Sequence, residues 1–307
     1  MTLASDTTQE IISGLQASTP SISPKFFYDD IGSRLFEVIT LLDEYYPSRT
    51  EKSIMEANSQ AIALAVGRCD VLLDLGAGNC AKASALFDSI KPKQYRALDI
   101  SKAFLESAVA DLQKRFPMIE MQAQAFDLIQ PLDFPDLINQ RKTFFYPGSS
   151  IGNFDTEGAK RFFENITKVC QGAGGLLIGV DLIKDREVLH RAYNDSLGVT
   201  SAFNLNALLH INRLINTNFD VRDWEHHAIF NESLSRIEMY LRAVRDVQVS
   251  WPSGKQLFQK GELIHTENSY KYTIAGFTQM LLDAGFKTVQ TWTDPNSHFL
   301  VCYASAE

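Results

Sequence analysis

Apolar residues follow a strand-like pattern through the middle of the chain. From about residue 69 to residue 183, short apolar runs alternate with segments of helical spacing. The runs are CDVLLDLG, YRALDIS, KTFFYPGS and GGLLIGVDLI. A short continuous apolar run ended by glycine is typical of a strand buried on both faces of a parallel sheet. Because strands and helices alternate, this region predicts a doubly wound α/β sheet with right-handed crossovers.

The last part of the chain predicts one more helix and a hairpin. KYTIAGFTQMLLDAGF has helical spacing and stops at Gly285. KTVQTWTD and SHFLVCYA read as strands joined by a turn at Pro295-Asn296. Two strands joined by a short turn pair in antiparallel fashion, so the sequence predicts an antiparallel C-terminal hairpin on the sheet.

Two other regions break the alternation. Residues 25–50 mix aromatic residues with helical spacing, and Pro47 predicts a break before a helix over 51–66. Residues 184–250 predict helices followed by antiparallel strands of period two. These regions predict a second, smaller α+β lobe. We therefore expect a core domain at 51–183 and 271–307 and a second domain at 1–50 and 184–270.

Composition argues against several functional classes. The 307 residues carry a formal net charge of −8, with 45% hydrophobic residues and no cluster of Lys or Arg, so we expect no nucleic-acid partner. The sequence has neither a long apolar run nor a secretory leader, so we expect no membrane partner and a cytoplasmic location. The four cysteines form no Cys-x-x-Cys motif and are expected to be reduced. An acidic chain without large apolar patches favours a monomer.

Histidine spacing argues against a metal site. His226 and His227 are adjacent, so on a strand their side chains point to opposite faces. The sequence has no pair of His four residues apart with a carboxylate nearby. We therefore predict that the protein uses no metal.

The ends of the predicted parallel strands carry candidate ligand-binding residues. Gly76 and Gly78 follow the first strand, where glycine allows a tight turn and close approach of a ligand. Asp99 ends the second strand, where a carboxylate can accept hydrogen bonds from both ribose hydroxyls of an adenosine. Asp127 follows the third strand and could accept from an adenine amino group, while Phe126 packs on the ring. Alone, the glycines and Asp99 also fit an NAD-dependent oxidoreductase.

The fourth strand ends in PGSSIGNF, residues 147–154, which favours a different reaction. A dehydrogenase has no particular need for an Asn at this place. A methyltransferase that acts on an amine needs neutral acceptors to hold the nitrogen in line with the methyl group, and Asn153 is suited to that role. The NAD-dependent reading leaves this segment and the second lobe unexplained.

Six ordered blocks give the sequence a family resemblance. They are Phe27-Tyr28-Asp29-Asp30-x-Gly32-Ser33, Glu44-Tyr45-Tyr46-Pro47-x-Arg49, Ser150-Ile151-Gly152-Asn153-Phe154, Ala192-Tyr193, Ile237-Glu238-Met239-x-Leu241-Arg242 and Thr266-Glu267-x-Ser269-x-Lys271. From about residue 24 to its end, the chain resembles the histidine-specific N-α-methyltransferases of ergothioneine biosynthesis. The resemblance implies a Rossmann-like class I methyltransferase fold, with a substrate lobe inserted before the last helix and hairpin. It also implies S-adenosylmethionine (SAM) as co-substrate and three methyl transfers that convert L-histidine to hercynine.

The resemblance also implies site residues. The cofactor positions would be Gly76, Lys82, Asp99, Phe126 and Asp127. The family's aromatic residue usually follows this last Asp, whereas Leu128 stands there in this chain. For the substrate, Asn153 and Tyr193 would hold the carboxylate, Tyr28 and the Gly148 backbone would lie near the α-nitrogen, Glu267 and Ser269 would read the imidazole, and Tyr46 and Met239 would complete its pocket. Tyr28 and Asn153 are the expected catalytic residues.

Glu267 and Ser269 make chemical sense apart from the resemblance. They lie two residues apart, so both face one side of an extended segment. One can accept from an imidazole N–H, and the other can donate to the second ring nitrogen. Two other hypotheses stay open at this point. One is the same reaction on tryptophan or a prenylated tryptophan, and the other is a non-catalytic SAM-binding module.

Overall fold

The computed structural model describes residues 2–128 and 130–307. The chain divides into two compact units. The first unit comprises Met1–Tyr46 and Asp185–Ser269, and the second comprises Pro47–Lys184 and Tyr270–Glu307.

The secondary-structure elements are numbered along the chain. The strands are β1 (Val71–Leu75), β2 (Gln94–Asp99), β3 (Glu120–Ala125), β4 (Lys142–Tyr146), β5 (Gly174–Asp181), β6 (Trp224–Asn231), β7 (Arg236–Ala243), β8 (Val247–Trp251), β9 (Gly254–Phe258), β10 (Leu263–Tyr270), β11 (Thr288–Thr293) and β12 (Phe299–Ser305). The helices are α1 (Thr2–Leu15), α2 (Asp30–Ile39), α3 (Tyr46–Ala57), α4 (Ser59–Val66), α5 (Ala81–Ser84), α6 (Phe87–Ile90), α7 (Lys102–Arg115), α8 (Thr156–Cys170), α9 (Arg186–Tyr193), α10 (Val199–Ile215) and α11 (Ile274–Asp283). None of the helices in the described part of the chain has the length and apolarity needed to span a bilayer.

The second unit contains the predicted doubly wound sheet. Its strand order is β11-β12-β5-β4-β1-β2-β3. The pairs β1–β2, β2–β3, β1–β4 and β4–β5 are parallel, whereas β12 runs antiparallel to both β5 and β11. The predicted fold class, including the antiparallel C-terminal hairpin, is confirmed. The strand order switches between β1 and β4, because β2 and β3 lie on one side of β1 whereas β4 and β5 lie on the other. Open α/β sheets bind ligands at such a switch point.

Burial explains why the central strands read as continuous apolar runs. Every residue of β1, β4 and β5 is buried. One face of the sheet packs on a cluster that includes Phe144 and Phe163, and the other face on a cluster that includes Tyr95 and Phe145. All four cysteines are buried. Strands covered on both faces bury their side chains at every position, so their sequences are mostly apolar and show no alternation.

The predicted break at Pro47 is wrong. Pro47 is the second residue of α3, and so lies in the first turn of a helix. The first turn tolerates proline because its N–H groups have no acceptor within the helix. The predicted single helix over 51–66 is instead divided at Asn58, and α4 ends at Val66, followed by Gly67 with a φ of +64°.

The first unit combines helices with short antiparallel strands. One sheet has the order β10-β7-β6, with β6 and β7 antiparallel, and β8 and β9 form an antiparallel pair. Helix α10 packs against both α2 and β6. Two apolar clusters fill the unit, one around Trp224 and Phe258 and the other around Phe27 and Phe203. This is the α+β character that the sequence predicts.

Candidate active site

The glycine turn after β1 is tied to Asp99. Gly76 and Gly78 have φ values of +71° and +52°, a conformation that favours glycine. The Gly78 N–H donates to Asp99 Oδ2 at 2.9 Å, and the Ser101 N–H donates to Asp99 Oδ1 at 3.0 Å. The carboxylate of Asp99 therefore joins the glycine turn to the start of α7. Among the described atoms, nothing lies within 4 Å of the place where a Cβ would stand on Gly76 or Gly78, so the turn faces open space that a ligand can fill.

Asp74, just before this turn, has an unsatisfied buried oxygen. The Tyr95 hydroxyl donates to Asp74 Oδ2 at 2.7 Å. Within residues 2–128 and 130–307, Asp74 Oδ1 has no hydrogen-bond partner. Burial raises the pKa of Asp74 to about 7, because a carboxylate loses its hydration there. The glycine turn that follows this buried carboxyl group is open, so a ligand such as SAM fits there.

Lys82 and Gly148 share a partner that the sequence analysis missed. Glu51 on α3 is buried, and its Oε2 lies 2.7 Å from Lys82 Nζ. The Gly148 N–H donates to Glu51 Oε1 at 2.8 Å. One carboxylate therefore joins α5, which follows the glycine turn, to the loop after β4.

The loop after β4 holds Asn153 at the end of a short 3-10 helix, Ser150–Asn153. Gly148 and Ser149, which precede this helix, have φ values of +79° and +63°. The Asp181 N–H, at the end of β5, donates to Ser149 Oγ at 2.8 Å. The loop is therefore fastened to the neighbouring strand, which limits the positions that Asn153 can take.

Asp181 also belongs to a buried charged group that sequence reasoning did not single out. Its Oδ1 lies 2.5 Å from Lys184 Nζ, and its Oδ2 lies 2.8 Å from Lys271 Nζ. Burial would raise the pKa of Asp181, but Lys271 and Lys184 hold it below its usual value. Burial lowers the pKa of Lys184 to about 8. The one sign of this group in the sequence is that Lys271 belongs to the last of the six ordered blocks.

Phe126 and Asp127 follow β3 directly. The Phe126 N–H donates to the Asp99 carbonyl at 2.9 Å, and the Phe126 ring packs against the core of the second unit. The Asp127 carbonyl accepts from the Gln130 N–H at 2.9 Å. Both residues thus follow the carboxyl end of β3, beside the end of β2, where Asp99 lies.

In the first unit, predicted substrate residues share one aromatic cluster. Tyr46, Tyr193 and Met239 are buried members of it, and Tyr28 packs against it. The Tyr28 ring lies edge-on to the ring of Phe203, with 5.6 Å between centroids. The motif that holds Tyr28 depends on Gly32, since a Cβ there would stand 1.7 Å from the Phe27 carbonyl oxygen.

Glu267 and Ser269 lie on β10, beside that cluster. Both side chains are buried, with exposed fractions of 8% and 4%. The Tyr193 hydroxyl donates to Ser269 Oγ at 2.7 Å, and Thr266 Oγ1 donates to the Met239 carbonyl at 3.1 Å. Buried polar side chains beside aromatic rings are costly unless they are hydrogen-bonded, so this arrangement suits the recognition of a polar group.

His226 supports Tyr193 and was also missed. Its Nε2 donates to the Tyr193 carbonyl at 2.8 Å, and its Nδ1 accepts from Asn204 Nδ2 at 2.8 Å. Asn204 Nδ2 also donates to the Tyr240 carbonyl at 2.9 Å, which fixes the amide orientation and hence the His226 tautomer. Burial lowers the pKa of His226. A neutral imidazole therefore anchors the end of α9.

The structure places the predicted site residues in two groups. The second unit holds Gly76, Gly78, Lys82, Asp99, Phe126, Asp127, Gly148 and Asn153, and the first holds Tyr28, Tyr46, Tyr193, Met239, Glu267 and Ser269. Across residues 2–128 and 130–307, no three His, Cys, Asp or Glu side chains come together as a metal-binding group.

Comparison with known proteins decides the family. The model of the family of histidine-specific, SAM-dependent methyltransferases matches residues 7–306. The chain belongs to this family. A histidine N-α-methyltransferase of Mycolicibacterium smegmatis is 36% identical over 297 residues, covering 95% of this chain and 92% of that protein. One of Mycobacterium tuberculosis is 35% identical over 298 residues, with the same coverage of both chains. This member of the family is therefore a SAM-dependent N-methyltransferase.

A more distant relative is named for a tryptophan derivative. A 4-dimethylallyltryptophan N-methyltransferase of Aspergillus fumigatus is 25% identical over 313 residues, covering 96% of this chain and 92% of that protein. The lower identity over a similar length makes the tryptophan-type relatives a weaker match than the histidine-type ones.

Proposed function

We propose that this methyltransferase transfers methyl groups from SAM to the α-amino group of free L-histidine, three times in succession, to give hercynine. The observation that carries the proposal is the buried pair Glu267 and Ser269 on β10, next to an aromatic cluster. An imidazole has one N–H donor and one nitrogen acceptor, and this pair offers a carboxylate acceptor and a hydroxyl donor. An indole has one N–H donor and no acceptor nitrogen, so it matches the carboxylate but not the hydroxyl donor.

The second unit would hold the co-substrate. Asp99 would accept the ribose hydroxyls, Asp127 and Phe126 would bind the adenine, and Gly76 and Gly78 would let the backbone approach closely. Lys82 would pair with the carboxylate of the amino-acid end. Bound there, SAM supplies an electrophilic methyl group on a sulfonium. The turn after β1 is open where such a ligand needs space.

Tyr28 and Asn153 would act on the amino group of histidine. The substrate's ammonium must lose a proton before its nitrogen has a lone pair, and the nearby sulfonium charge disfavours the ammonium form. The Tyr28 hydroxyl would accept a hydrogen bond from the amine and orient it, with the proton leaving to water. Asn153 and Tyr193 would hold the substrate carboxylate, with the Gly148 backbone close to the nitrogen. Such fixed placement lowers the barrier because the nitrogen is already in line.

Tyr46 and Met239 would enclose the imidazole from the apolar side. Both are buried in the aromatic cluster of the first unit. Aromatic faces would also stabilise the quaternary ammonium that builds up as methyl groups are added. We further expect the enzyme to work as a cytoplasmic monomer without a metal.

A competition experiment tests the proposal. The protein is incubated with SAM and an equimolar mixture of the twenty amino acids, and products are analysed by mass spectrometry. We expect histidine alone to gain mass, ending with three methyl groups in place of three protons. Methylation of tryptophan alone would support the tryptophan-type activity instead. Binding of SAM without any product would identify a non-catalytic module.

A further inference from the structure

We infer that Glu51 is a positioning residue for the co-substrate, which acts by holding the Lys82 ammonium in place before the ligand binds. The inference rests on the proposed function, because it takes Lys82 as the group that meets the carboxylate of SAM. Glu51 would touch no ligand itself. Its effect would pass through Lys82.

The contacts of Glu51 point to this role. Its side chain is almost fully buried, with 2% exposed, whereas 38% of the Lys82 side chain is exposed. One oxygen lies 2.7 Å from Lys82 Nζ and the other accepts from the Gly148 N–H at 2.8 Å. The buried carboxylate therefore fixes the position of the ammonium, while part of the lysine side chain stays exposed.

Gly179 makes room for this carboxylate. A Cβ on Gly179 would stand 1.9 Å from Glu51 Oε1. Gly179 lies within β5, in a strand that is buried throughout. Glycine weakens a strand, so the missing side chain is best explained by the space that the Glu51 carboxylate occupies.

Preorganisation of the Lys82 side chain determines whether loss of Glu51 weakens or strengthens ligand binding. A free lysine side chain loses rotamer freedom when it binds an anion, and Glu51 imposes that loss during folding instead. Removing the Glu51 charge should therefore weaken binding of a carboxylate ligand, by about fivefold to tenfold. A Glu51 that served only as a counter-charge would have the opposite effect, because its removal would strengthen the attraction between Lys82 and an anion.

The experiment measures the binding of S-adenosylhomocysteine to the full chain by calorimetry. Glu51→Gln keeps an oxygen for the Gly148 N–H and removes the charge. Lys82→Met removes the ammonium, and the double variant tests whether the two act together. We expect Glu51→Gln to weaken binding, and to add little when Lys82 is already Met. Unchanged or tighter binding, additive effects, or a Lys82→Met variant with normal affinity would each overturn the inference.

Two further variants show whether a change in binding is specific to the Glu51 carboxylate. Asp70→Asn is the matched control, because Asp70 is also a buried carboxylate paired with a lysine, Lys93 at 2.8 Å, but precedes β1 at the opposite end of the strand. It should bind S-adenosylhomocysteine normally. Gly179→Ala keeps the Glu51 charge and displaces the carboxylate, so it should weaken binding as Glu51→Gln does, and normal affinity would contradict the role of Glu51. The binding experiment contains no amino-acid substrate, so its result does not depend on histidine being the substrate. If the protein bound S-adenosylhomocysteine normally but did not methylate histidine, only the proposed function would be contradicted.

Discussion

The hydroxyl of Tyr193 donates a hydrogen bond to Ser269 Oγ at 2.7 Å. Tyr193 is the last residue of α9 and Ser269 lies near the end of β10, so the bond joins two elements that are far apart in the sequence. Because the bond uses a lone pair of Ser269 Oγ and leaves its hydrogen to point elsewhere, it also orients the serine hydroxyl. This hydrogen bond therefore links the aromatic cluster of the first unit to its polar pair.

Tyr193→Phe removes only that hydroxyl. We expect the KM for histidine to rise roughly threefold to tenfold, because in the proposed site the substrate carboxylate would lose the hydrogen bond that the Tyr193 hydroxyl donates to it. Steady-state kinetics with histidine varied and SAM in excess measure the change. Tyr240→Phe is the control, since the Tyr240 hydroxyl donates to Glu238 at 2.6 Å in the same unit. Equal effects of the two substitutions would contradict a specific role for Tyr193.

Glu267→Gln tests how the imidazole is recognised. The amide keeps the size of the side chain and loses the charge, and charge-assisted hydrogen bonds are about twice as strong as neutral ones. We expect kcat/KM for histidine to fall roughly tenfold. Any rate with tryptophan should not fall, so the ratio of the two rates is the decisive quantity. Glu225→Gln, which changes an exposed carboxylate on β6, should leave the ratio unchanged.

His226 should make stability depend on pH on the acidic side. Burial holds the pKa of His226 below 6.5, and protonation would set Nδ1–H against the Asn204 Nδ2 donor. The unfolded chain then binds more protons than the folded one, so stability falls as the pH drops below about 6.5. Urea unfolding of the protein and of His226→Asn between pH 5 and pH 8 measures this. The variant should lose part of the acid-side slope, and identical slopes would contradict the assignment.

Asp74 should change the stability of the fold with pH in the opposite direction to His226. Its pKa is raised from 3.8 to about 7 by burial, so the folded chain binds the extra proton. Its contribution to stability is greatest below about pH 4 and is lost as the pH rises through 7. In urea unfolding, Asp74→Asn should remove this loss.

The control for that measurement is Asp70→Asn. The pKa of Asp70 is lowered to about 2, because Lys93 and Arg68 outweigh the burial that would raise it. Asp70 therefore stabilises the fold above about pH 4 and less at lower pH. Opposite pH trends in the two variants are expected, and parallel trends would contradict both assignments.

The sheet could be predicted because its signals are local. A buried strand needs an apolar run such as Val71–Leu75 and a tight turn after it needs glycines. Asp99 could be placed because it ends the next such strand. The aromatic and polar residues of the first unit were found through the six ordered blocks. Pro47 was misplaced because proline is allowed both between helices and in a first turn, and local sequence does not distinguish these.

Glu51 and His226 could not be predicted because their roles depend on distant partners. Glu51 contacts Gly148, 97 positions away, and needs the space beside Gly179. His226 contacts the backbone of Tyr193, 33 positions away. In the sequence, Glu51 is one charged residue in a helix and His226 is one of two adjacent histidines. Only the folded backbone brings their partners into range.

The most direct test of the central claim is a crystal structure of the protein with S-adenosylhomocysteine and histidine. We predict one imidazole nitrogen within about 2.7–3.2 Å of a Glu267 carboxylate oxygen and the other at a similar distance from Ser269 Oγ. A histidine bound with its imidazole away from both side chains would contradict the account.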